Sequence, residues 1–223
     1  MEGSSSSSSA AAAPNVVITI DILSDPVCPW CFIGKRRMEK ALAAVRESGE
    51  VEFRVRWLPF ELRPSLPPEV VDMGPFCQEW LGSTRERVTR HFEPHFRAEG
   101  MELKLCDKMP NTFRAHRLLH LAGLRDKQDP LAEVLFSKYW LEGEDIGAIE
   151  VLSAAAKAVG MTDDVAAYLS GEEGAEAVIR QEKQQAAKRC TGVPLFIIND
   201  KHTLSGAASP SQFAALFAKV TPK

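Results

Sequence analysis

Val16-Val17-Ile18-Thr19-Ile20-Asp21-Ile22-Leu23 leads through Ser24-Asp25-Pro26-Val27 into Cys28-Pro29-Trp30-Cys31, and the rest of the chain makes most sense as a holder for that tetrapeptide. Downstream the apolar spacing becomes helical, through Phe32, Ile33, Met38, Ala41, Leu42 and Val45. A strand that turns and opens a helix at Cys28 gives that sulfur a special position. The first N–H groups of a helix lack intrahelical partners and carry the positive end of its dipole. A sulfur anion there accepts hydrogen bonds, which takes a cysteine from a pKa of about 8.5 into a range of roughly 3.5–7.5. Pro29 suits the first helical position. A C-x-x-C pair after a strand reads as a redox motif. Two other readings compete. Half of a zinc site needs a second Cys or His pair, and the chain has no second C-x-x-C. A pair of inert core cysteines fits poorly with Pro and Trp between them.

Composition narrows the class. The chain has 223 residues, 45% hydrophobic and 26% charged, which suits one large globular domain or a small one carrying an insertion. A net charge of −3 argues against a nucleic-acid partner. Five cysteines are too few and too irregular for a disulfide-stapled secreted framework. Cys77, Cys106 and Cys190 stand alone and read as buried or incidental thiols. No apolar run approaches the roughly 18–20 residues of a membrane span. Residues 1–14 are a Ser run followed by an Ala run, without the basic and apolar regions of a secretory signal or the Arg of a transit peptide. They read as a disordered tail, and the location expected is the cytoplasm.

In order, Val16 to Leu23 reads as a strand and Pro29 to about Glu47 as a helix ended by Ser48-Gly49. Val51, Phe53, Val55 and Trp57 alternate with charged residues as in a half-buried strand, joined to the first by a parallel crossover. From about Glu69 to Gly171 the pattern is helical and no strand is expected. Ser83-Thr84-Arg85-Glu86 has capping-box spacing, Asn111 caps a helix, and Asp129-Pro130 opens another. Two more run from about Ile146 to Val159 and from Asp163 to Leu169. Glu172 to Arg189 reads as a charged helix. Leu195-Phe196-Ile197-Ile198 is a short buried strand, Asn199-Asp200 a turn, and Thr203-Leu204 its return. Ser209-Pro210-Ser211-Gln212 caps a last helix. The sum is βαβ, a helical block, then α-β-β-α: an α/β protein with a mixed sheet flanked by helices.

Strand, C-P-x-C, helix and a later Gly192-Val193-Pro194 before a strand resemble the thioredoxin fold, and the helical block between its halves resembles the DsbA-like group. Ser24 through Lys35, Asn111 through His120, and Ser205-Gly206-Ala207 are similar to the FrnE-type branch of that group. The likeness covers about Asn15 to Val220. It implies a thioredoxin-like domain formed by 15–68 and 172–221, and a helical insertion domain over 69–171. It also implies a cis Val193–Pro194 bond beside the dithiol, which would turn backbone groups of Val193 towards a substrate.

The chemistry expected is thiol–disulfide exchange with substrate proteins or small disulfides. Cys28 attacks as thiolate and Cys31 resolves the mixed disulfide, with Pro194 catalytic and Pro29, Trp30 and Val193 at the substrate. Asp21 interrupts an apolar strand and is the candidate for a buried acid that moves the proton of Cys31. No tightly bound cofactor is expected, with glutathione a possible co-substrate. His116 and His120 share a helix face as metal ligands can, but no further ligand follows at suitable spacing and no metal is expected. His91 and His95 share the spacing, but Pro94 puts a continuous helix there in doubt. Lys35, Arg36 and Arg37 read as a solvated helix face. The architecture also resembles kappa-class glutathione transferases and 2-hydroxychromene-2-carboxylate isomerases, which typically have Ser at the position of Cys28 and lack the second thiol. A non-enzymatic chaperone or binding module is the third reading.

Overall fold

The apolar strand and the helix it feeds stand where the pattern puts them. A computed structural model describes residues 16–46, 51–171, 176, 179, 180, 182–184 and 192–221. In it β1 spans Val16–Ser24, α1 Pro29–Arg46 and β2 Val51–Pro59. β1 and β2 are parallel, with Ile20 opposite Val55, Asp21 opposite Arg56 and Ile22 opposite Trp57. The tail over 1–14, the Ser48-Gly49 helix end, Cys190 and most of the charged stretch from Glu172 to Arg189 lie outside the described residues.

Then come β3 (Val71–Asp72), α2 (Met73–Leu81), α3 (Arg85–Ala98), β4 (Lys108–Met109), α4 (Phe113–Gly123) and α5 (Gln128–Ser137). A π-helical turn over Lys138–Glu142 continues α5, and α6 (Ile149–Ala158) and α7 (Val165–Ser170) follow. Three expectations need correcting in this region. β3 and β4 pair antiparallel over two residues each, too short to register as alternation. The cap of α3 is Thr84, not Ser83: the Thr84 hydroxyl accepts from the Arg87 N–H at 3.3 Å. And α3 runs unbroken past Pro94. The proline forfeits one backbone hydrogen bond, while Phe96, two residues on, is fully buried and anchors the last turn.

The sheet is completed by β5 (Leu195–Ile198) and β6 (His202–Ser205), in the order β2-β1-β5-β6, with β5 antiparallel to both neighbours. Asn199 and Asp200 make the hairpin turn in the left-handed region, at φ of 49° and 54°, which these two side chains tolerate better than most. The last helix, α8 (Pro210–Val220), opens on a complete capping box between Ser209 and Gln212.

Ile18, Ile20 and Ile22 project from one face of β1 into the main core with Phe32, Phe196, Phe213 and Phe217. Phe96, Phe136 and Trp140 join the same core from the helical region. Phe32, the residue after Cys31, stacks on Phe136 with centroids 5.1 Å apart and meets Phe96 edge-on at 6.0 Å. A smaller cluster of Leu23, Leu195 and Ile197 covers the opposite sheet face. The fold is thioredoxin-like and α/β, with a mixed sheet flanked by helices.

The basic run after Gly34 is not a solvated face. Lys35 is only 2% exposed and is paired with Glu39 and with Glu133 on α5. Arg36 pairs with the same two carboxylates. Arg37 reaches Glu99 and the Ala207 carbonyl, both at 2.7 Å. Glu39 is local, but Glu133, Glu99 and Ala207 lie far away in sequence, so nothing local announces that Lys35 is enclosed.

Candidate active site

The end of β1 and the start of α1 build the site. The Cys28 N–H donates to the Asp25 carbonyl at 2.9 Å, closing the turn, and the Cys28 carbonyl accepts from Phe32 N–H at 3.4 Å. Cys28 therefore stands at the mouth of α1, just ahead of Pro29. Across from it, Val193–Pro194 is a cis peptide, and the Cys28 Sγ lies 3.7 Å from the Val193 carbonyl oxygen. The carbonyl of Val193, the residue joined to Pro194 by that cis bond, thus faces Cys28, while Pro29 and Trp30 lie between the two thiols in the chain.

The two thiols differ in their surroundings. Burial pushes the Cys31 thiol well above its ordinary pKa, and its hydrogen bond and charge interaction with Cys28 push it further. The Ser24 hydroxyl and the Asp25 N–H oppose this without reversing it. Cys31 is held as a thiol that donates towards Cys28.

Trp30 projects between side chains of α3. Its ring meets His95 at 4.8 Å, Phe92 at 5.5 Å and His91 at 6.5 Å. The helical region thus supplies an aromatic and imidazole wall beside the dithiol. Trp140 adds a second tie, its indole N–H donating to the Pro26 carbonyl at 3.0 Å.

Gly34 explains how closely α1 approaches the cis-Pro strand. A β-carbon there would lie 3.1 Å from the Phe196 ring and 3.3 Å from the Pro194 ring. Ala would gain about 1 kcal/mol of helix propensity but push these two rings back, at about 1–3 kcal/mol. Gly34→Ala is expected to lower stability by about 1 kcal/mol net, read from the urea midpoint, with a shift in Trp30 fluorescence as α1 moves.

Asp21 does not stand where the proton-shuttle idea needs it. It alternates with Ile20 and Ile22 and so faces away from the dithiol core. Arg56, its cross-strand partner, holds the carboxylate with two bonds of 2.9 and 2.6 Å. The buried carboxyl whose main chain flanks the dithiol is Asp25. It is 0% exposed, and burial raises its pKa to about 7 against the opposing bonds from Leu62 N–H, Val27 N–H and Thr112. Sequence reasoning placed Asp25 only within a motif, because an Asp before Pro at a strand end looks like ordinary turn chemistry. His116 is also buried, its Nε2 3.8 Å from Asp25 Oδ1, whereas His120 is half-buried. Among the described residues, no three His, Cys, Asp or Glu side chains gather as metal ligands would. Cys77 and Cys106 are buried thiols. No helix among the described residues is long and apolar enough to cross a membrane.

Comparison with known proteins agrees with this geometry. The family model described as DSBA-like thioredoxin domain matches residues 19–218. The protein YwbO of Bacillus subtilis is 30% identical over 204 residues, covering 89% of this chain and 94% of YwbO. The crystal structure of the probable DsbA oxidoreductase SCO1869 from Streptomyces coelicolor superposes with a TM-score of 0.80 at 28% identity, covering 92% of each chain. The cytosolic disulfide reductase DsbM from Pseudomonas aeruginosa, solved with GSH, has a TM-score of 0.58 at 14% identity, covering 90% of this chain and 98% of DsbM.

Proposed function

Because this chain belongs to the DSBA-like thioredoxin domain family, we propose that it is a thiol–disulfide oxidoreductase working through Cys28 and Cys31. The observation that carries the reading is the asymmetry of the pair. Cys28 sits at the helix mouth 3.7 Å from the Val193 carbonyl, and Cys31 lies beneath it, held as a thiol by burial and by its bond to Cys28. In the reaction, the Cys28 thiolate attacks one sulfur of a substrate disulfide and the other leaves as a thiolate. Cys31 then gives up its proton and attacks Cys28, forming the Cys28–Cys31 disulfide and releasing the second substrate sulfur reduced.

Pro29, Trp30 and Val193 contact the substrate, and Pro194 holds Val193 in place. With Cys28 only 3% exposed, a substrate disulfide must be presented end-on to the sulfur, as a loop of protein chain or a small disulfide can be. Asp25 takes the role first expected of Asp21. Residues 15–68 and 172–221 form the thioredoxin-like domain and 69–171 an inserted helical domain that shapes the substrate surface. Glutathione is the proposed co-substrate, a reading supported by the DsbM structure solved with GSH. In a reducing cytoplasm, the proposed location, the favoured direction is reduction or isomerisation.

Insulin reduction with glutathione as electron source tests this. The expected result is turnover at protein concentrations far below that of insulin. Conjugation of glutathione to an electrophile without any disulfide reduction would replace this reading with a transferase. Suppression of insulin aggregation with no reduction would replace it with a binding module.

A further inference from the structure

Four features near the dithiol take no part in the exchange of disulfides itself. His116 Nε2 and Ser24 Oγ are both buried without a hydrogen-bond partner among the described residues. Both residues line one small, partly open cavity of about 10 Å³, with Pro26, Trp57, Phe136 and others, close to the smallest volume that holds one water. The Ser24 hydroxyl stands near enough to the Cys31 sulfur to favour its anion, although the two make no hydrogen bond of normal geometry. And His116 Nε2 points at Asp25 from 3.8 Å, about 1 Å beyond a direct hydrogen bond.

We propose that Asp25 and His116 share a single proton as a neutral pair. With a water held between Ser24 and His116, that pair is the buried store that exchanges protons with Cys31. The inference rests on the thiol-exchange reading only for its last step.

The tautomer follows from the backbone. His116 interacts with the Phe60 carbonyl through a ring N–H, which leaves Nε2 as an acceptor facing the carboxyl. The charges nearby favour a neutral pair. Glu61 lies close enough to disfavour a carboxylate at Asp25, and Lys183, paired with Glu61, disfavours a cationic His116. Tyr139, whose own ionisation Asp25 opposes, is buried and stays neutral. Half-buried His120 and Glu182 also line this cavity and give protons a way out.

Burial moves the two groups in opposite directions. Asp25 rises from 3.8 to about 7, and His116 falls from 6.5 to about 3 under burial and the Lys183 charge. Between about pH 4 and 6.5 the unfolded chain therefore carries its proton on the imidazole and the folded chain on the carboxyl. The number bound is one in each state, so the pair contributes no net pH dependence to folding in that window.

Above about pH 7 the pair has lost its proton and can accept another. When Cys31 attacks the Cys28 mixed disulfide, its proton passes through the Ser24 hydroxyl and the water to the pair. The Cys31–Cys28 bond forms, and the Cys28–substrate bond breaks with its electron pair on the leaving sulfur. Asp25 and His116 touch no reacting atom; they are positioning residues.

Urea titrations of wild type, Asp25→Asn and His116→Gln from pH 4 to 6.5 test the shared proton. In Asp25→Asn, His116 binds a proton only in the unfolded chain, so the unfolding constant relative to wild type rises about tenfold per pH unit of acidification. In His116→Gln the sign reverses, because Asp25 then binds its proton only in the folded chain: the relative constant rises about tenfold per pH unit of alkalinisation. Parallel profiles in all three proteins overturn the pair.

Should a variant not fold, imidazole 15N spectra of wild type decide. His116 is expected neutral with the proton on Nδ1, its Nε2 resonance shifting at the Asp25 midpoint. A proton on Nε2, or an imidazolium forming above pH 5, overturns it. In exchange itself, resolution of a preformed Cys28 mixed disulfide should rise through an inflection near pH 7 that vanishes in Asp25→Asn; an unchanged inflection overturns the link to Cys31. Loss of exchange in wild type at every pH would instead sink the functional reading, because the folding profiles do not depend on it.

Discussion

Cys31→Ser is expected to accumulate as a mixed disulfide with substrate, while Cys28→Ser forms no adduct and loses turnover by roughly a thousandfold or more. The asymmetry rests on place in the fold and on the burial that holds Cys31 as a thiol. Cys28 is at the mouth of α1, at the positive end of the helix dipole, and it receives the Cys31 thiol as a donor. Cys31 is 1% exposed and loses its proton only against the cost of burial. Attack from Cys31 on an outside disulfide would need both a costly ionisation and an approach path past Cys28. Without Cys31, the adduct on Cys28 has no neighbouring thiol to displace it and clears only when an external thiol arrives. Non-reducing mass spectrometry after mixing each variant with a disulfide peptide reads the outcome. Adducts on Cys31 in the Cys28→Ser protein, with none on Cys28 in Cys31→Ser, would reverse the order of attack.

What could be read in the sequence follows from which interactions are local. The strand, the helix behind the dithiol and the Ser209–Gln212 cap are encoded within a few residues of each other, and they appear as periodicity and capping spacing. The cis Val193–Pro194 bond came only through a resemblance, since no local pattern separates it from an ordinary trans proline. Asp21 and Asp25 show where local reading fails. Both are acidic residues near Cys28, but only strand pairing reveals that Asp21 lies opposite Arg56, and only the packing of α4 brings His116 to Asp25. The same holds for Trp30 against His91 and His95, and for the two-residue pairing of β3 with β4. Contacts made across 35 or more residues leave no periodic trace.

Lys35 is the most consequential of those long-range contacts. Lys35→Ala is expected to destabilise the protein by about 3 kcal/mol, near the lower end of what breaking a buried ion pair costs. Its ammonium lies 2.9 Å from Glu133 on α5 and also pairs with Glu39 on α1. Burial works against the charge, but Glu133 and Glu39 outweigh it, and the pKa of Lys35 is raised. Burial likewise opposes a charged Glu133, yet Lys35 and Arg36 hold its pKa below the ordinary carboxylate value. Removing Lys35 leaves both carboxylates with Arg36 alone, which keeps the loss from being larger. Lys35→Met keeps most of the apolar stem and should cost less, about 1–2 kcal/mol, because the volume is refilled. The pH dependence separates charge from packing. A carboxylate with a lowered folded pKa contributes stability that is complete above its unfolded value and disappears as pH falls through the folded one. Both variants should therefore lose part of the wild-type decline in stability on acidification below about pH 4.5. Urea is the denaturant to use, since guanidinium would screen the ion pairs being measured. Equal losses in Lys35→Ala and Lys35→Met with an unchanged acid limb would mean that the stem, not the charge, docks the dithiol helix on α5.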